Sequence, residues 1–232
     1  MKQNSGLTLV ELLVVMAVLS ITGIFILNIF TSSLRGSNKS QILGVIKQNG
    51  QAVLDTMDKT IRNSDNVVCP FFLSSGDTSS FSNTLVTVKD GIYSRFRLIP
   101  PTNNPNTALG NNCGATSGNG CFVQDNPTKI TITANVVEET EPQLVDRICQ
   151  PGTLMLSSAI LLTDTNPQTG ISINCIGADC NPAANAVFTR NRSSGFKDQV
   201  TIRFIAKPGV SAPQAVVGQI DPVTFQTTIN LR

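Results

Sequence analysis

One carboxylate stands inside the most apolar stretch of the chain. Between Leu7 and Phe30, Glu11 is the only formally charged side chain. A charge near the middle of a bilayer costs about 2.5–3.5 kcal/mol on insertion scales, so such a residue generally has a partner or a role. Glu11 is therefore the first candidate functional residue, and the chemistry that it suggests is ion pairing in an apolar setting.

The residues around Glu11 form the element that must position it. A helix over residues 7–30 would extend roughly 36 Å, which is enough to cross a hydrocarbon core of about 30 Å. Before it lies a polar leader with one lysine, residues 1–6 (M-K-Q-N-S-G). A general secretory signal has a shorter apolar region and a small-residue cleavage site behind it. We therefore interpret residues 7–30 as a transmembrane helix.

The junction at Gly6 resembles the processing site of type IV pilin-like proteins, the prepilins and pseudopilins. Their short basic leader ends in glycine, and their hydrophobic helix begins with F-T-L-x-E or a close relative; here the matching residues are G-L-T-L-V-E, 6–11. The resemblance implies cleavage after Gly6 by a prepilin peptidase and N-methylation of the new amino terminus at Leu7. Leu7 stands where phenylalanine is usual in the family.

The same resemblance implies a role for Glu11. Cleavage after Gly6 places a positive amine four residues before Glu11, one helical turn away at the positive end of the helix dipole. In the family the carboxylate meets the amine of a neighbouring subunit, so Glu11 would set the axial register during filament assembly. The alternative is that Glu11 only reaches the cytoplasmic interface as a favourable acid in the first helical turn.

The chain has six cysteines and no histidine, and all six cysteines follow the apolar segment: Cys69, Cys113, Cys121, Cys149, Cys175 and Cys180. An even number beyond a membrane segment indicates disulfides formed outside the cytoplasm, with buried or reactive free thiols as the alternative. The short spacings favour two local bridges, 113 with 121 and 175 with 180, which leaves 69 with 149. Without histidine or a Cys-x-x-Cys pair, we predict no zinc or other metal site.

Beyond residue 30 the helical period continues. Apolar residues recur at spacings of four or seven, and no proline occurs before Pro70, so an amphipathic helical extension over residues 31–68 is predicted. These apolar residues are Ile42, Ile46, Val53, Met57 and Ile61.

After Pro70 the period changes to two. Residues 84–98 predict a hairpin turning at Asp90-Gly91, and further strands are expected within residues 130–136, 154–162, 171–176, 200–206 and 223–231. The buried face of the hairpin is ambiguous from its pattern. Residues 69–232 are thus expected to form a β-rich head with disulfides. The fold class is α+β, a long N-terminal hydrophobic helix packed on a C-terminal antiparallel sheet.

Enzyme chemistry finds no support in the sequence. Histidine is absent, and no nucleophile elbow, phosphate loop or dinucleotide motif occurs, so we expect no enzyme and no cofactor. Glu138, Glu139 and Glu141 before Pro142 are interpreted as a solvated loop. Oxygens of the 164–166 segment and of Asp179 could face calcium, but their spacing matches no known calcium loop.

Nucleic acid is not an expected partner either. The net charge is only +2, and the chain has one tyrosine and no tryptophan for base stacking. Five basic residues on the hairpin and a later loop are interpreted as solvated side chains rather than as a DNA surface: Arg95, Arg97, Arg190, Arg192 and Lys197.

The function that the resemblance implies is structural. It predicts an assembly subunit of a type IV pilus, a type II secretion system or a competence filament, partnered by other pilin-like subunits, the peptidase and membrane lipid. Major pilins commonly carry a proline within the helix, and its absence here favours a minor pilin or minor pseudopilin. The expected location is the cytoplasmic membrane with the head outside the cytoplasm, and then an extracellular filament. The alternative is a membrane-anchored surface binding or adhesion protein.

Overall fold

A computed structural model describes residues 8–72, 77–101, 113, 118–132, 137–150, 158–166, 168–177, 180, 185–192, 195–213 and 220–231. The chain divides into two compact units, Met1–Ile42 and Leu43–Arg232. Its first described element is helix α1 (Leu9–Arg62), and the strands that the structure describes lie in the second unit.

Helix α1 is continuous because its sequence contains no proline, and its final turn carries two basic residues, Lys59 and Arg62, which suit the negative end of a helix. The helical extension, predicted to reach residue 68, ends at Arg62, since residues 66–69 form a strand. One stripe of its later turns is buried: Ile46, Gly50, Val53, Leu54, Met57 and Ile61. This stripe contains most of the apolar positions that the period predicted.

Within the described residues, twelve strands and one short helix follow. The strands are β1 (Asn66–Cys69), β2 (Ser79–Ser82), β3 (Thr84–Lys89), β4 (Ile92–Ile99), β5 (Cys121–Asp125), β6 (Thr131–Ile132), β7 (Val137–Glu138), β8 (Ile160–Leu161), β9 (Ile171–Asn174), β10 (Phe188–Asn191), β11 (Gln199–Pro208) and β12 (Val223–Asn230). Helix α2 (Glu141–Cys149) lies between β7 and β8.

The strand pairs in the described part of the chain are antiparallel, and two five-stranded sheets contain most of these strands. The first sheet has the order β1-β3-β4-β5-β8, and the second has the order β12-β11-β10-β2, with β9 also paired to β11. Strands β6 and β7 form a small separate pair. A long helix followed by antiparallel sheets confirms the predicted α+β class.

The predicted hairpin is strands β3 and β4. Asp90 and Gly91 both have positive φ, 50° and 77°, as a type I′ turn requires. Its ambiguous pattern has a physical explanation, because both faces of this part of the sheet are covered. Leu85 and Phe96 are completely buried on one face, while Val86 and Tyr93 on the other pack against helix α2.

Helix α2 corrects one expectation, since the acidic stretch before Pro142 is not a solvated loop. Thr140 is the N-cap, and its N–H donates to Gln143 Oε1 at 3.0 Å. Proline is tolerated in the first helical turn because its missing N–H would have no partner there. The T-x-x-Q spacing is a capping-box signal that the sequence contained.

Phenylalanines connect the two sheets and helix α1. The Phe122 ring on β5 contacts Phe204 on β11, with centroids 5.0 Å apart, and Phe204 stacks on Phe225 of β12 at 5.1 Å. Phe225 in turn lies against Gly50 of α1. Within the core of the second unit, three aromatic rings therefore link the first sheet, the second sheet and helix α1.

The structure pairs the cysteines as the spacings predicted: Cys69 with Cys149, Cys113 with Cys121, and Cys175 with Cys180. Their Cα atoms lie 5.8, 5.8 and 5.4 Å apart, within the usual range for disulfides. The predicted strands over 130–136 and 154–162 are described only in part, at residues 130–132 and 158–162, where β6 and β8 lie.

Candidate functional site

The start of helix α1 holds the Glu11 carboxylate against Thr8. Glu11 Oε2 accepts hydrogen bonds from the Thr8 backbone N–H at 3.0 Å and from the Thr8 hydroxyl at 3.1 Å. The Glu11 N–H donates back to Thr8 Oγ1 at 3.3 Å. This reciprocal arrangement is a capping box, which satisfies backbone donors at the end of a helix that have no partner within it.

The structure therefore assigns Glu11 a partner that the sequence interpretation had not considered. Thr8 was noted there only as part of the processing motif, although the T-x-x-E spacing of Thr8 and Glu11 is itself a capping signal. Gly6 and Leu7 lie outside the described residues. Cleavage after Gly6 would leave Thr8 as the second residue of the mature chain, directly beside the new amine.

The helical surface that follows Glu11 is apolar and open. Between residues 9 and 30 every large hydrophobic side chain is at least half exposed, from Val15 at 51% to Leu9 at 77%. This segment of α1 is long and apolar enough to span a membrane, with a mean hydropathy of 2.6 over its most apolar window. An apolar face of this extent in water would be an association surface.

Hydroxyl side chains within and just after this segment bond to the helix itself. The Ser20 hydroxyl donates to the Met16 carbonyl at 2.8 Å, and the Thr22 hydroxyl donates to Val18 at 2.9 Å. Thr31 does the same with Leu27 at 3.0 Å. Hydroxyls bonded in this way add little cost in lipid or in a packed helix bundle. Glu11 thus remains the one formal charge of the segment.

The arginines interpreted as solvated are largely buried, which corrects that expectation. Arg95 on β4 is 1% exposed and donates from Nε to Asp125 Oδ1 at 2.8 Å; Asp125 is its direct cross-strand neighbour on β5. Arg97 donates from Nε to the Thr84 hydroxyl and from Nη2 to the Gln150 carbonyl, and burial lowers its pKa to about 10. Arg95 and Arg97 therefore bind other parts of the chain in the interior of the fold.

Arg190 is also buried, and its pKa is lowered, chiefly by that burial. It donates from Nε to Asp198 Oδ2 at 2.6 Å, and its guanidinium lies 4.8 Å from the centre of the Phe72 ring. Arg192 and Lys197 are exposed, so the five basic residues do not form one basic surface.

The three acids before Pro142 have distinct environments. Glu139 is 5% exposed and accepts Arg147 Nε at 2.8 Å and Nη2 at 2.9 Å, and these bonds are the main reason why its pKa is lowered. Glu141 accepts the Tyr93 hydroxyl and faces Lys129 Nζ at 3.4 Å. Glu138 lies exposed at the end of β7.

The side-chain oxygens of Asp164 and Asn166, which were considered as calcium ligands, accept hydrogen bonds from backbone N–H groups in a turn. Asp164 Oδ1 accepts the Asn166 N–H at 3.0 Å, and Asn166 Oδ1 accepts the Gln168 N–H at 2.9 Å. Asp179 lies outside the described residues. Within the ranges that the structure describes, no three or more His, Cys, Asp or Glu side chains are grouped so as to hold a metal ion.

Comparison with known proteins places the recognisable similarity at this same end of the chain. Residues 1–27 match the family model described as the prokaryotic N-terminal methylation motif. No curated protein and no solved structure matches the chain. The motif, the apolar helix that it includes and the α+β head together support a type IV pilin-like protein, and they fit a membrane-anchored subunit that later forms a filament with others.

Proposed function

We propose that this chain is a minor pilin or minor pseudopilin, a structural subunit of a type IV pilus, a type II secretion system or a competence filament. The observation that carries the proposal is the methylation motif over residues 1–27, most of which lies on an exposed apolar helix that begins at Leu9. A prepilin peptidase cuts after Gly6, and the new amino terminus at Leu7 is methylated. The subunit then leaves the membrane and packs through this helix.

Lipid covers the apolar segment before assembly, and the corresponding helices of other subunits cover it in the filament. In lipid an association surface gains nothing from the hydrophobic effect alone, because acyl chains are as apolar as leucine. A specific polar contact must therefore fix the register between neighbouring helices, and Glu11 is the available charge. Its partner is the methylated amine of the adjacent subunit.

The capping box holds the Glu11 carboxylate in place before a neighbouring subunit arrives. Before assembly Thr8 satisfies one carboxylate oxygen of Glu11, with both of its bonds going to Oε2. An incoming amine binds at the carboxylate without requiring Thr8 to release it, since a carboxylate accepts about four hydrogen bonds. Thr8 is thus a positioning residue, and Glu11 is the residue that contacts the neighbour.

The experiment that tests this function compares Glu11 variants in the producing cell. The tagged chain is measured in the membrane fraction and in filaments sheared from the surface or formed on overexpression of the system. We expect Glu11→Ala and Glu11→Gln to reduce the filament fraction about tenfold or more, because a buried amine then lacks its counter-charge. The membrane fraction should be unchanged.

Glu11→Asp is the matched control, because it keeps the charge and shortens the side chain by one carbon. It should assemble better than Glu11→Gln. Thr8→Ser, which keeps the hydroxyl of the capping box, should assemble as the wild type does. Wild-type amounts of Glu11→Ala in filaments would show that Glu11 does not set the register.

A further inference from the structure

Strand β2 (Ser79–Ser82) is an edge of the second sheet, since among the described residues it pairs with another strand, β10, on one side only. In an antiparallel ladder alternate residues direct their N–H and C=O groups toward the partner strand and away from it. The Arg192 N–H donates to the Thr78 carbonyl at 2.8 Å, and in the register of β2 with β10 the hydrogen-bonded pairs then continue at Ser80 and Ser82. Ser79 and Phe81 therefore direct their backbone groups outward.

The next outward residue shows what this edge can do. The Asn83 carbonyl accepts the Leu98 N–H of β4 at 3.0 Å, so the edge is already used at that point. At Ser79 and Phe81 no such bond occurs with any of the residues that the structure describes. Two N–H and two C=O groups in a row are the pattern that a strand edge offers to a further strand.

A cavity of about 570 Å³ runs along this edge. Five consecutive residues, 79–83, line it, which indicates that the strand borders the cavity with its edge, because neighbouring side chains point to opposite faces. Phe71 and Phe81, which are 42% and 44% exposed, line it, and so do Cys69 and Cys149, which a disulfide joins. Its size is that of a ligand pocket.

Cationic groups adjoin the Ser79 end of the strand. Arg192 pairs with Thr78 through its backbone, its side chain is 49% exposed, and its guanidinium lies 4.2 Å from the centre of the Phe72 ring. Its nearest carboxylate oxygen, on Asp198, is 3.5 Å away and belongs to a group that Arg190 already binds.

At this corner Arg190 and Arg192 both face the Asp198 carboxylate, which leaves a net charge of +1 on these three side chains, whereas Asp77 lines the cavity itself. Partly exposed arginine beside aromatic rings is a frequent composition of binding hot spots. The corner therefore favours an anionic group over a cationic one.

We propose that the β2 edge and its cavity bind an extended segment of a partner protein, which adds to the second sheet as a further strand. The segment bonds to Ser79 and Phe81 through its backbone and places an apolar side chain between Phe71 and Phe81. An acidic residue beyond the Ser79 end meets Arg192. This recognition site belongs to the head and goes beyond a role in filament assembly.

The test selects a phage-displayed library of random decapeptides on the purified full-length chain in detergent micelles. We expect enriched peptides to alternate apolar and polar residues and to carry Asp or Glu near one end. A synthetic copy of the leading peptide is then titrated against variants. A library without any enriched peptide would overturn the proposal.

Ser79→Pro removes one outward N–H and none of the bonds to β10, since proline is tolerated on the open side of an edge strand. It should weaken binding of the leading peptide about five- to tenfold, the loss expected for one backbone bond and a disturbed edge. Phe81→Ser should weaken it by a similar factor or more. Unchanged thermal unfolding of both variants establishes that the fold is intact, and equal affinity of wild type and Ser79→Pro would contradict strand addition.

Arg192→Gln should remove the preference for acidic over basic versions of the peptide, and Arg203→Gln is its matched control, an exposed arginine on β11. Sedimentation of the full-length chain measures whether it associates with a second copy of itself. Self-association that Ser79→Pro abolishes would identify the occupant as a second copy and overturn a distinct partner.

Discussion

The Phe225 ring lies so close to Gly50 that a Cβ atom at position 50 would overlap it. Helix α1 and strand β12 therefore touch in the second unit with no side chain of the helix between them. Gly50 is buried in the middle of a helix, where glycine is otherwise unfavourable by about 1 kcal/mol relative to alanine. The close approach explains why glycine stands there.

Gly50→Ala should consequently destabilise the head. The gain in helix propensity is about 1 kcal/mol, and overpacking of a tight core costs about 1–3 kcal/mol, so a net loss of up to about 2 kcal/mol is expected. Gly44→Ala is the control, because nothing lies within 4 Å of a Cβ there. Urea unfolding of the full-length chain, followed by the signal of its one tyrosine, measures both. Equal stability of the two variants would show that Phe225 moves freely.

Asp125→Asn should be the most damaging charge removal of those considered. Arg95 and Asp125 are 1% and 0% exposed, and taking the charge from one member of a buried pair costs about 3–5 kcal/mol. Asp58→Asn is the matched control, because the Asp58–Arg62 pair is exposed and should contribute within about 0.5 kcal/mol. The same unfolding assay applies, and a small loss for Asp125→Asn would mean that water reaches Arg95.

The Tyr93 hydroxyl should lose its proton at a higher pH than an ordinary tyrosine does. Burial first, and then the bond to Glu141, raise its pKa to about 12 from an ordinary value of 10. Because the folded chain favours the neutral phenol, this contribution to stability is complete below pH 10 and is lost as the pH rises toward 12.

Tyr93 is the only tyrosine, and tryptophan is absent, so near-ultraviolet absorbance of tyrosinate reports this one residue. Glu141→Gln should move the midpoint part of the way back toward 10, since burial remains. A wild-type midpoint at the ordinary value would contradict the buried, hydrogen-bonded phenol.

Local signals in the sequence predicted much of the fold. The Asp90-Gly91 turn, the long helix without proline and the alternating strands near the carboxyl terminus depend on neighbouring residues, so their patterns could be read directly. Strands such as β2, a four-residue segment with three serines, carry no such pattern. Pairing with β10, far away in the chain, makes this segment a strand.

The residues of the candidate site could be recognised in the sequence only where they form a local motif. Gly6, Leu7 and Glu11 stand in a recognisable motif, and the Thr8–Glu11 capping box was visible as a spacing. Burial of Arg95 could not be inferred from the sequence, because its carboxylate partner is 30 residues away and meets it only through the register of β4 and β5. A long-range ion pair of this kind produces no periodic pattern in the sequence of either strand.

The amino terminus of the mature chain is the most direct measurement of the proposed role. Intact mass and amino-terminal sequencing of the protein from membranes should show a chain that lacks residues 1–6 and begins with N-methyl-Leu7. Gly6→Ala provides the control and should leave the leader attached. A wild-type chain that retains Met1, or that begins after Ser33, would contradict processing as a pilin-like subunit.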